Sequence, residues 1–370
     1  MRSTVLGGRQ GVRQVPRGEY RRTFCKTEER LVSDLIRVEM ISRMFVTSGR
    51  SCRLARLLLA IFLAGVYLPW SQAQGQAQKI CGRETRCLLI EAQDLGMAAS
   101  VNNASYVVLD RSNATAGGVL VPTPWFPDIV RWARIHHLVD LGVEIDLNAE
   151  WSSYRWRPVS PQSKASGLVD PTGYLPNDAR FIGLHAKPEE VSVEIRAQIQ
   201  AARMAGLTIT HLDSHGGIAF FTPWLFKAYW KASEDAGLPA VISKEWVMQH
   251  GRLTGKHDIY EVGGVDVDLT KVPFDRIIQM QPGIAKDNWL TEYETMLGGL
   301  PVGVYLLKVH IGFNDEELQR MTVGHPNWGA QWRQNDYDVI SSPEFQKFLR
   351  DQGFILVNWM DLQKALQTKH

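Results

Sequence analysis

Three polar residues alternate in the segment THLDSHGG (residues 210–217), which follows a helical pattern and ends in two glycines. His211, Asp213 and His215 are two residues apart, so in an extended chain their side chains share one face. Two imidazoles and a carboxylate at a strand end are suitable for a divalent metal and the groups that orient its ligands. The segment therefore predicts a metal site. The alternative is a strand whose polar residues only cap a sheet edge.

Two other segments place a polar side chain directly after an apolar strand. In LLIEAQDLGM (residues 88–97), Asp94 follows an apolar run, and Gly96 permits a tight turn. In LLKVHIG (residues 306–312), an apolar strand ends in His310. A lone histidine at such a position is more often structural than catalytic, so His310 is a candidate only together with the other segments.

A further segment, residues 140–151, has one acidic face. Its polar residues alternate with apolar ones, so in a strand they point to a single side. In a closed barrel this side can face inward at the catalytic end, whereas the alternative is an amphipathic strand with a solvated face. The alternating polar residues are Glu144, Asp146, Asn148 and Glu150.

Strand-like and helix-like segments alternate from residue 87 to the end of the chain. The clearest helix covers residues 188–205, with a proline and two glutamates in its first turn and Gly206 directly after it. This alternation predicts the α/β class with a largely parallel sheet. About seven strands, several followed by polar residues, favour a single, distorted TIM-like (β/α) barrel. The proline-rich residues 152–186 are interpreted as an insertion near the strand ends.

The chain has 370 residues, a formal net charge of +2 and 45% hydrophobic residues, so it can bury a large core. Its nearly balanced charge lacks the basic footprint of a nucleic-acid-binding protein, and we expect no nucleic-acid partner.

Residues 44–73 have the layout of a secretory signal peptide. Arginines precede an apolar run at residues 57–68, and small residues precede a cleavage site after Ala73. The alternative is a membrane anchor, but the run is shorter than the roughly 20 residues that a span requires. We expect a secreted or periplasmic protein without a stable membrane span after cleavage.

A signal peptide belongs at an N-terminus, which indicates that translation begins at Met44 or Met40. Residues 1–43 are then an extension of the gene model or disordered. Residues 74–86 are a linker, and residues 87–370 form the barrel domain.

Two cysteines, Cys81 and Cys87, remain after the predicted cleavage. They can form a short disulfide loop in an exported protein, or Cys87 can be a buried strand residue with Cys81 free. Their spacing does not decide between the two.

The ordered set of segments resembles the YdjC-like carbohydrate deacetylase family, especially its secreted bacterial members. That family has an Asp-Asp-x-Gly motif after the first strand, an Asp-x-Gly-Val-His-Leu strand, a Thr-His-x-Asp-Ser-His motif and a late strand ending in histidine. The likeness spans roughly residues 86–368. Further similarity lies in residues 121–126 (VPTPWF), Glu150-Trp151, residues 154–156 (YRW), and Arg333 with Asp336-Tyr337.

The resemblance implies a TIM-like barrel, a divalent metal held by Asp, His and His, and hydrolysis of an N-acetyl group on an amino sugar. By position, the metal ligands are Asp94, Glu144 and His215. The usual general base falls on Gln93, and the plausible general acid falls on His310.

This chain departs from the family pattern at two of these positions. Gln93 replaces an acid, and an amide does not accept a proton at neutral pH. Glu144 replaces a histidine, and two carboxylates with one imidazole favour Mg²⁺ or Mn²⁺ over Zn²⁺. If the chain is active, Asp213 is the first candidate for a substitute base, and Glu91 is the second.

Aromatic residues in or near the predicted loops are candidates for contact with sugar rings, although core packing is the alternative for each of them. These tryptophans are Trp125, Trp151, Trp156, Trp224 and Trp328. The predicted substrate-binding set is Trp125, Glu150, Trp151, Trp156 and Arg333.

Three functions remain open at this point. The first is an exported metal-dependent carbohydrate N-deacetylase. The second is a sugar-binding protein that has lost catalysis on the same scaffold, which Gln93 and Glu144 favour. The third is a metal hydrolase of another ester or amide, because a fold does not determine a substrate.

Overall fold

The structure is a computed structural model that describes Cys81, residues 84–137 and residues 139–367. The predicted extension and signal peptide, and most of the predicted linker, lie outside the described residues. Within the described part, no helix has the length and apolar character needed to cross a membrane.

The described strands fall into one large parallel sheet and one small antiparallel sheet. The strands are β1 (Arg86–Leu95), β2 (Ala116–Val119), β3 (Asp140–Ile145), β4 (Ile209–Ser214), β5 (Arg252–Leu253), β6 (Ile259–Val262), β7 (Val265–Asp268), β8 (Arg276–Gln279), β9 (Gly303–Val309) and β10 (Phe354–Leu356).

Helices follow most strands of the parallel sheet. They are α1 (Ala99–Asp110), α2 (Phe126–Ala133), α3 (Arg180–His185), α4 (Pro188–Met204), α5 (Pro223–Ala236), α6 (Lys244–His250), α7 (Trp289–Gly298), α8 (Glu316–Met321), α9 (Ala330–Ile340), α10 (Pro343–Asp351) and α11 (Trp359–Gln367).

The parallel sheet has seven strands and curls into a distorted barrel, as the alternating pattern predicts. The strand order is β4-β3-β2-β1-β9-β8, and β10 pairs with the start of β1. Between β4 and β8, residues 240–243 make only two isolated parallel bridges, Leu212 with Ala240 and Ser243 with Phe274. This weak join is the distortion, because regular strand pairing is absent there.

The barrel interior has its own apolar cluster at the end where the strands begin. Residues along β1 alternate between the two sides of the sheet. Cys87 and Leu89 join a cluster that includes Trp359, whereas Leu88 and Ile90 join the main core. The first cluster therefore fills the lower interior, and the main core lies between the sheet and the helices.

The structure resolves the open question about the cysteines, because Cys81 and Cys87 form a disulfide. Cys87 is also fully buried at the start of β1. The disulfide therefore ties residue 81 to the lower end of the barrel.

Some predicted elements differ from the observed ones. Strand β3 ends at Ile145, so Asn148 and Glu150 follow the strand instead of continuing its acidic face. The antiparallel sheet β5-β6-β7 was not predicted, because its strands are only two to four residues long and short runs carry little periodicity.

Candidate metal and substrate site

A cavity of about 1170 Å³ opens at the end of the barrel where the parallel strands finish. Parallel strands bring their carboxyl ends together at one rim, which is where ligands bind in barrels of this class. Eight of the eleven predicted site residues border it: Gln93, Asp94, Glu144, Glu150, Trp151, His215, His310 and Arg333. Asp213, Trp125 and Trp156 do not.

Three buried side chains converge in this cavity. Ligand atoms of Asp94, Glu144 and His215 all lie within 4.8 Å of one another. Nδ1 of His215 is 3.1 Å from Oδ1 of Asp94 and 3.1 Å from Oε1 of Glu144. The three residues predicted as metal ligands thus form a group that can hold a metal ion.

Asp94 reaches this position through an unusual turn at the end of β1. Its backbone has a φ of 66°, in the left-handed region that few non-glycine residues adopt. Its N–H donates to Oε2 of Glu144 at 2.9 Å, and the following turn is fixed where the Gly96 N–H donates to Oδ1 of Asn102 at 2.7 Å. Backbone strain of this kind persists only where surrounding contacts enforce it.

One carboxylate oxygen of Asp94 lacks a hydrogen-bond donor. Oδ2 accepts from the Arg333 guanidinium at 2.5 Å, whereas the buried Oδ1 accepts no hydrogen bond. Burial raises the pKa of Asp94, but Arg333 and His215 outweigh it and hold this pKa well below its ordinary value. In the ion-free protein, the imidazole of His215 is the positive group beside this oxygen, 3.1 Å away. A buried, ionised oxygen that accepts no hydrogen bond also fits a metal ion.

Glu144 fits beside Asp94 because Gly118 on the neighbouring strand has no side chain. A Cβ at Gly118 would lie 2.9 Å from Oε2 of Glu144. Burial and the negative charge of Asp94 raise the pKa of Glu144 to about 7. These two carboxylates therefore repel each other unless a cation lies between them.

The ring of His215 is oriented by a third carboxylate. Nε2 of His215 lies 3.3 Å from both oxygens of Glu150. If Nε2 donates its proton to Glu150, Nδ1 presents a lone pair toward Asp94 and Glu144. A carboxylate that orients a metal-binding imidazole in this way is common in metal sites. Burial lowers the pKa of His215, but the negative charges of Glu150 and Asp146 outweigh it and raise this pKa well above its ordinary value.

Gln93, at the position of the usual base, is held by a carboxylate beneath it. Its Nε2 donates to Oε1 of Glu91 at 2.8 Å. Burial raises the pKa of Glu91, but His211 and Lys308 outweigh it and lower this pKa, so Glu91 is an ionised acceptor. The amide must therefore turn its NH₂ group toward Glu91, which leaves Oε1 of Gln93 as an acceptor elsewhere.

His211 and Asp213 both lie below the cavity. Asp213 pairs with Lys308 at 2.5 Å and accepts from the Ser214 N–H at 2.7 Å. His211 is fully buried and stacks on Trp359 with ring centroids 4.5 Å apart. Of the three alternating residues in this segment, only His215 belongs to the group that can hold a metal. The successive residues lie at different depths in the barrel.

Helix α9 packs outside the barrel, and its side chains hydrogen-bond to residues of the site. Arg333 reaches Asp94, and one turn later Asp336 accepts from the backbone N–H of His310 at 2.8 Å. Asp336 also accepts from Trp289 Nε1 and Tyr293 Oη at 2.8 and 2.6 Å. One helix face therefore fixes the carboxyl ends of both β1 and β9.

His310 borders the cavity with a neutral ring. Burial lowers the pKa of His310 to about 3, and the positive charges of Arg333 and Lys308 act in the same direction, against Asp94. A bound cation would lower this pKa further, so the ring stays neutral in either state.

Two of the predicted substrate-binding tryptophans lie away from the cavity. Trp156 is 3% exposed, and its Nε1 donates to Oδ2 of Asp146 at 2.6 Å, which anchors the insertion after β3. Trp125 directly precedes α2, with 37% of its surface exposed. Trp156 follows a polar segment, which predicted a loop at the mouth of the barrel, but its indole packs into the core.

The cavity also has lining residues that the sequence analysis did not single out as site residues. Lys308 faces the cavity two residues before His310, and the alternation along β9 carries that signal. The others share no motif and are brought in by tertiary packing. They include Trp246, His325 and Asn327, whereas Trp328, a predicted candidate for contact with sugar rings, does line the cavity.

Comparisons with known proteins indicate the family of this chain. The sequence model of the family described as YdjC-like protein matches residues 87–351. A carbohydrate deacetylase of Thermus thermophilus is 29% identical over 282 residues, covering 76% of this chain and 95% of that protein. A carbohydrate deacetylase of Thermoanaerobacter pseudethanolicus is 22% identical, covering 75% and 99%.

A solved structure supports the fold. The crystal structure of a putative cellobiose-phosphate cleavage protein from Enterococcus faecalis V583 superposes with a TM-score of 0.60 at 20% identity, covering 75% of this chain and 99% of that one. The family match spans most of the chain and includes the convergent Asp94, Glu144 and His215. The chain belongs to the YdjC-like protein family.

Proposed function

We propose that this protein is an exported, metal-dependent hydrolase that removes N-acetyl groups from amino-sugar carbohydrates resembling chito-oligosaccharides. The observation that carries the proposal is the unsatisfied Oδ1 of Asp94, buried beside Glu144 and His215. Membership of a family with carbohydrate deacetylases supports the substrate class.

Asp94, Glu144 and His215 are the residues that would hold the ion. Two carboxylates and one imidazole favour Mg²⁺ or Mn²⁺ over Zn²⁺. When bound, such an ion polarises the acetamide carbonyl and lowers the pKa of a coordinated water.

In place of the usual general base, Gln93 orients the water and His310 carries its proton. Oε1 of Gln93 can accept a hydrogen bond from the attacking water and orient it, but it cannot remove the proton. Because the pKa of His310 is about 3, its neutral imidazole is a weak base and can hold that proton only briefly, as the water oxygen bonds to the acyl carbon. It can return the proton to the nitrogen as the C–N bond breaks, which releases acetate and a free amine.

Asp213 and Glu91, the candidate bases, are less suited to this step. Asp213 is already paired with Lys308, and Glu91 accepts from the Gln93 amide. Each would have to break a buried interaction before it could accept a proton from water in the cavity.

Export is part of the proposal. The signal-peptide layout of residues 44–73 supports it. The disulfide between Cys81 and Cys87 also supports it, because disulfides persist in oxidising compartments.

Acetate release tests this function. Purified mature protein is incubated with chito-oligosaccharides and Mg²⁺, Mn²⁺ or Zn²⁺, beside the variant His215→Ala. We expect release that requires a divalent ion and is lost in His215→Ala. Release that is the same in this variant would refute the metal-dependent mechanism.

A sugar-binding protein without catalysis is the second candidate, and the amide at Gln93 favours it. The variants Gln93→Asp and Gln93→Asp with Glu144→His separate the two. Acetate release only in the double variant would indicate a lapsed enzyme. Release by the natural chain would exclude that candidate.

A further inference from the structure

The wall of the cavity beside His310 is formed by residues 325–329, the loop that leads into α9. His325, Asn327 and Trp328 all border the cavity. Apart from Trp328, the sequence analysis named no residue of this loop as a candidate, and the proposed chemistry does not use it.

The loop holds Trp328 in a fixed and uncommon backbone conformation. Its φ is 57°, which bulky residues rarely adopt. The Trp328 carbonyl accepts from Nε of Arg333 at 2.6 Å. The adjoining Gly329 has no space for a side chain, because a Cβ there would lie 2.1 Å from the carbonyl oxygen of His325. The surrounding contacts therefore determine where the indole of Trp328 lies.

The indole of Trp328 is supported from behind. It stacks on Trp332 with ring centroids 5.1 Å apart and an interplanar angle of 29°, and Trp332 is buried. It also meets the ring of His310 edge-on at 6.3 Å. Trp328 itself is only partly buried and borders the cavity, so it offers a rigid aromatic surface next to the proposed proton carrier.

The other candidate tryptophans do not offer such a surface. Trp151 borders the cavity but is 2% exposed, and its Nε1 points to Sδ of Met97. Trp156 is buried, and Trp125 lies outside the cavity lining. Trp328 is thus the partly exposed tryptophan that adjoins His310.

A single side chain links Trp328 to the candidate metal ligands. Arg333 donates through Nε to the Trp328 carbonyl and through Nη2 to Oδ2 of Asp94. A sugar ring seated on Trp328 would therefore have a fixed distance to Asp94. Flat indole surfaces suit the apolar faces of sugar rings.

We propose that Trp328 is the specificity-determining platform that seats the sugar ring carrying the acetamido group, with Arg333 as its positioning residue. The inference rests on the proposed function for its ligand class. To that function the inference adds the residue that holds the sugar, and it gives a reason for the strained backbone of that residue.

Two substitutions at Trp328 form a matched pair. Trp328→Gly removes the ring, and the relief of the left-handed backbone offsets part of the packing lost on Trp332. The melting temperature of each variant is measured to show that it is folded. Trp328→Phe keeps a flat ring under the same backbone strain. Binding of N,N′-diacetylchitobiose to the Mn²⁺-loaded protein is measured by calorimetry, and acetate release is measured in parallel.

We expect Trp328→Gly to weaken binding roughly tenfold and to raise KM by more than it lowers kcat. Trp328→Phe should stay within about threefold of the natural protein, because the stacking surface is retained. Equal affinity in Trp328→Gly and the natural protein would overturn the inference. An equal loss in both variants would also overturn it.

The two proposals fail in different ways. A natural protein that binds the disaccharide but releases no acetate would refute the deacetylase function, while the loss of binding in Trp328→Gly would still support the platform. A natural protein that binds no amino sugar would refute both.

Discussion

Two layers of charged residues lie one above the other inside the barrel, and they differ in how their charges are compensated. The lower layer consists of Glu91, His211, Asp213 and Lys308. The upper layer consists of Asp94, Glu144, Glu150 and His215. In the lower layer, a lysine pairs directly with a carboxylate at 2.5 Å. In the upper layer, three carboxylates surround one imidazole, and Oδ1 of Asp94 accepts no hydrogen bond.

This difference distinguishes buried charges that are compensated within the chain from buried charges that a bound ligand can compensate. Buried ions are tolerated where a partner within the chain compensates them. The Asp213–Lys308 pair meets that condition without any ligand. Arg333 compensates Asp94 through Oδ2, and His215 lies 3.1 Å from Oδ1, but burial and the charge of Asp94 still raise the pKa of Glu144 to about 7. The upper layer is therefore the part of the interior that can hold a cation.

Breaking the lower layer should have the largest effect on stability. Lys308→Met leaves Asp213 buried without its partner, and removing one member of a buried pair costs about 3–5 kcal/mol. Urea unfolding measures the free energy of unfolding. The double variant Lys308→Met with Asp213→Asn should recover most of the loss, since neither charge remains. An equally unstable double variant would mean that packing, and not charge, explains the result.

Removing a ligand from the upper layer should affect activity more than folding. Asp94→Asn keeps the side-chain shape but removes the charge that a cation needs. We expect acetate release to fall by more than about 100-fold, beyond the loss typical of groups that only orient a ligand. Steady-state kcat/KM is the measurement. The comparison between the layers would fail if Asp94→Asn retained activity and Asp213→Asn abolished it with the fold intact.

The role assigned to Glu150 sharpens the comparison within the upper layer. Glu150→Gln keeps a hydrogen-bond acceptor near Nε2 of His215 but removes its charge. Metal affinity should fall about 10–100-fold, as for other carboxylates that orient a metal-binding histidine. Competition with a metal-sensitive dye gives the affinity. A loss of sugar binding with unchanged metal affinity would instead assign Glu150 to the substrate, as the sequence analysis predicted.

The ion-free protein should lose stability as pH rises above about 6.5. The pKa of Glu144 is raised to about 7 and that of Asp146 to about 8, mainly by burial. A raised acid pKa means that the unfolded state ionises first, so each group disfavours folding progressively from about pH 4 to about pH 8. The pKa of His310, lowered to about 3, has the opposite effect up to about pH 6.5, so the net loss is expected above that pH. The raised pKa of His215 acts in the same direction. Thermal unfolding across this range checks the slope, which Mn²⁺ should reduce at neutral pH and above.

The sequence predicted the barrel because strand-like and helix-like segments alternate along the chain. Helix α4 begins at Pro188, as the proline and two glutamates of its first turn indicate. The join between β4 and β8 could not be predicted, because residues 240–243 pair through single bridges whose partners are distant in the chain.

The site was predictable where a residue sits at the end of a strand. Asp94, Glu144, His215 and His310 meet at one rim because parallel strands end there. Alternation along a strand does not predict how deep in the barrel each side chain lies. For this reason the position of Asp213 in the lower layer was not predicted. The surroundings of Trp156 and Trp328 depend on tertiary packing, since one indole binds Asp146 and the other follows a left-handed turn held by Arg333.

Metal binding to the ion-free protein tests the central claim most directly. Calorimetric titration with Mn²⁺ is performed on the natural protein and on Asp94→Asn, His215→Ala and Asp213→Asn. We predict one ion per chain in the natural protein and in Asp213→Asn, and greatly weakened binding in the other two. Binding that survives in both Asp94→Asn and His215→Ala, or no binding by the natural protein, would contradict the account.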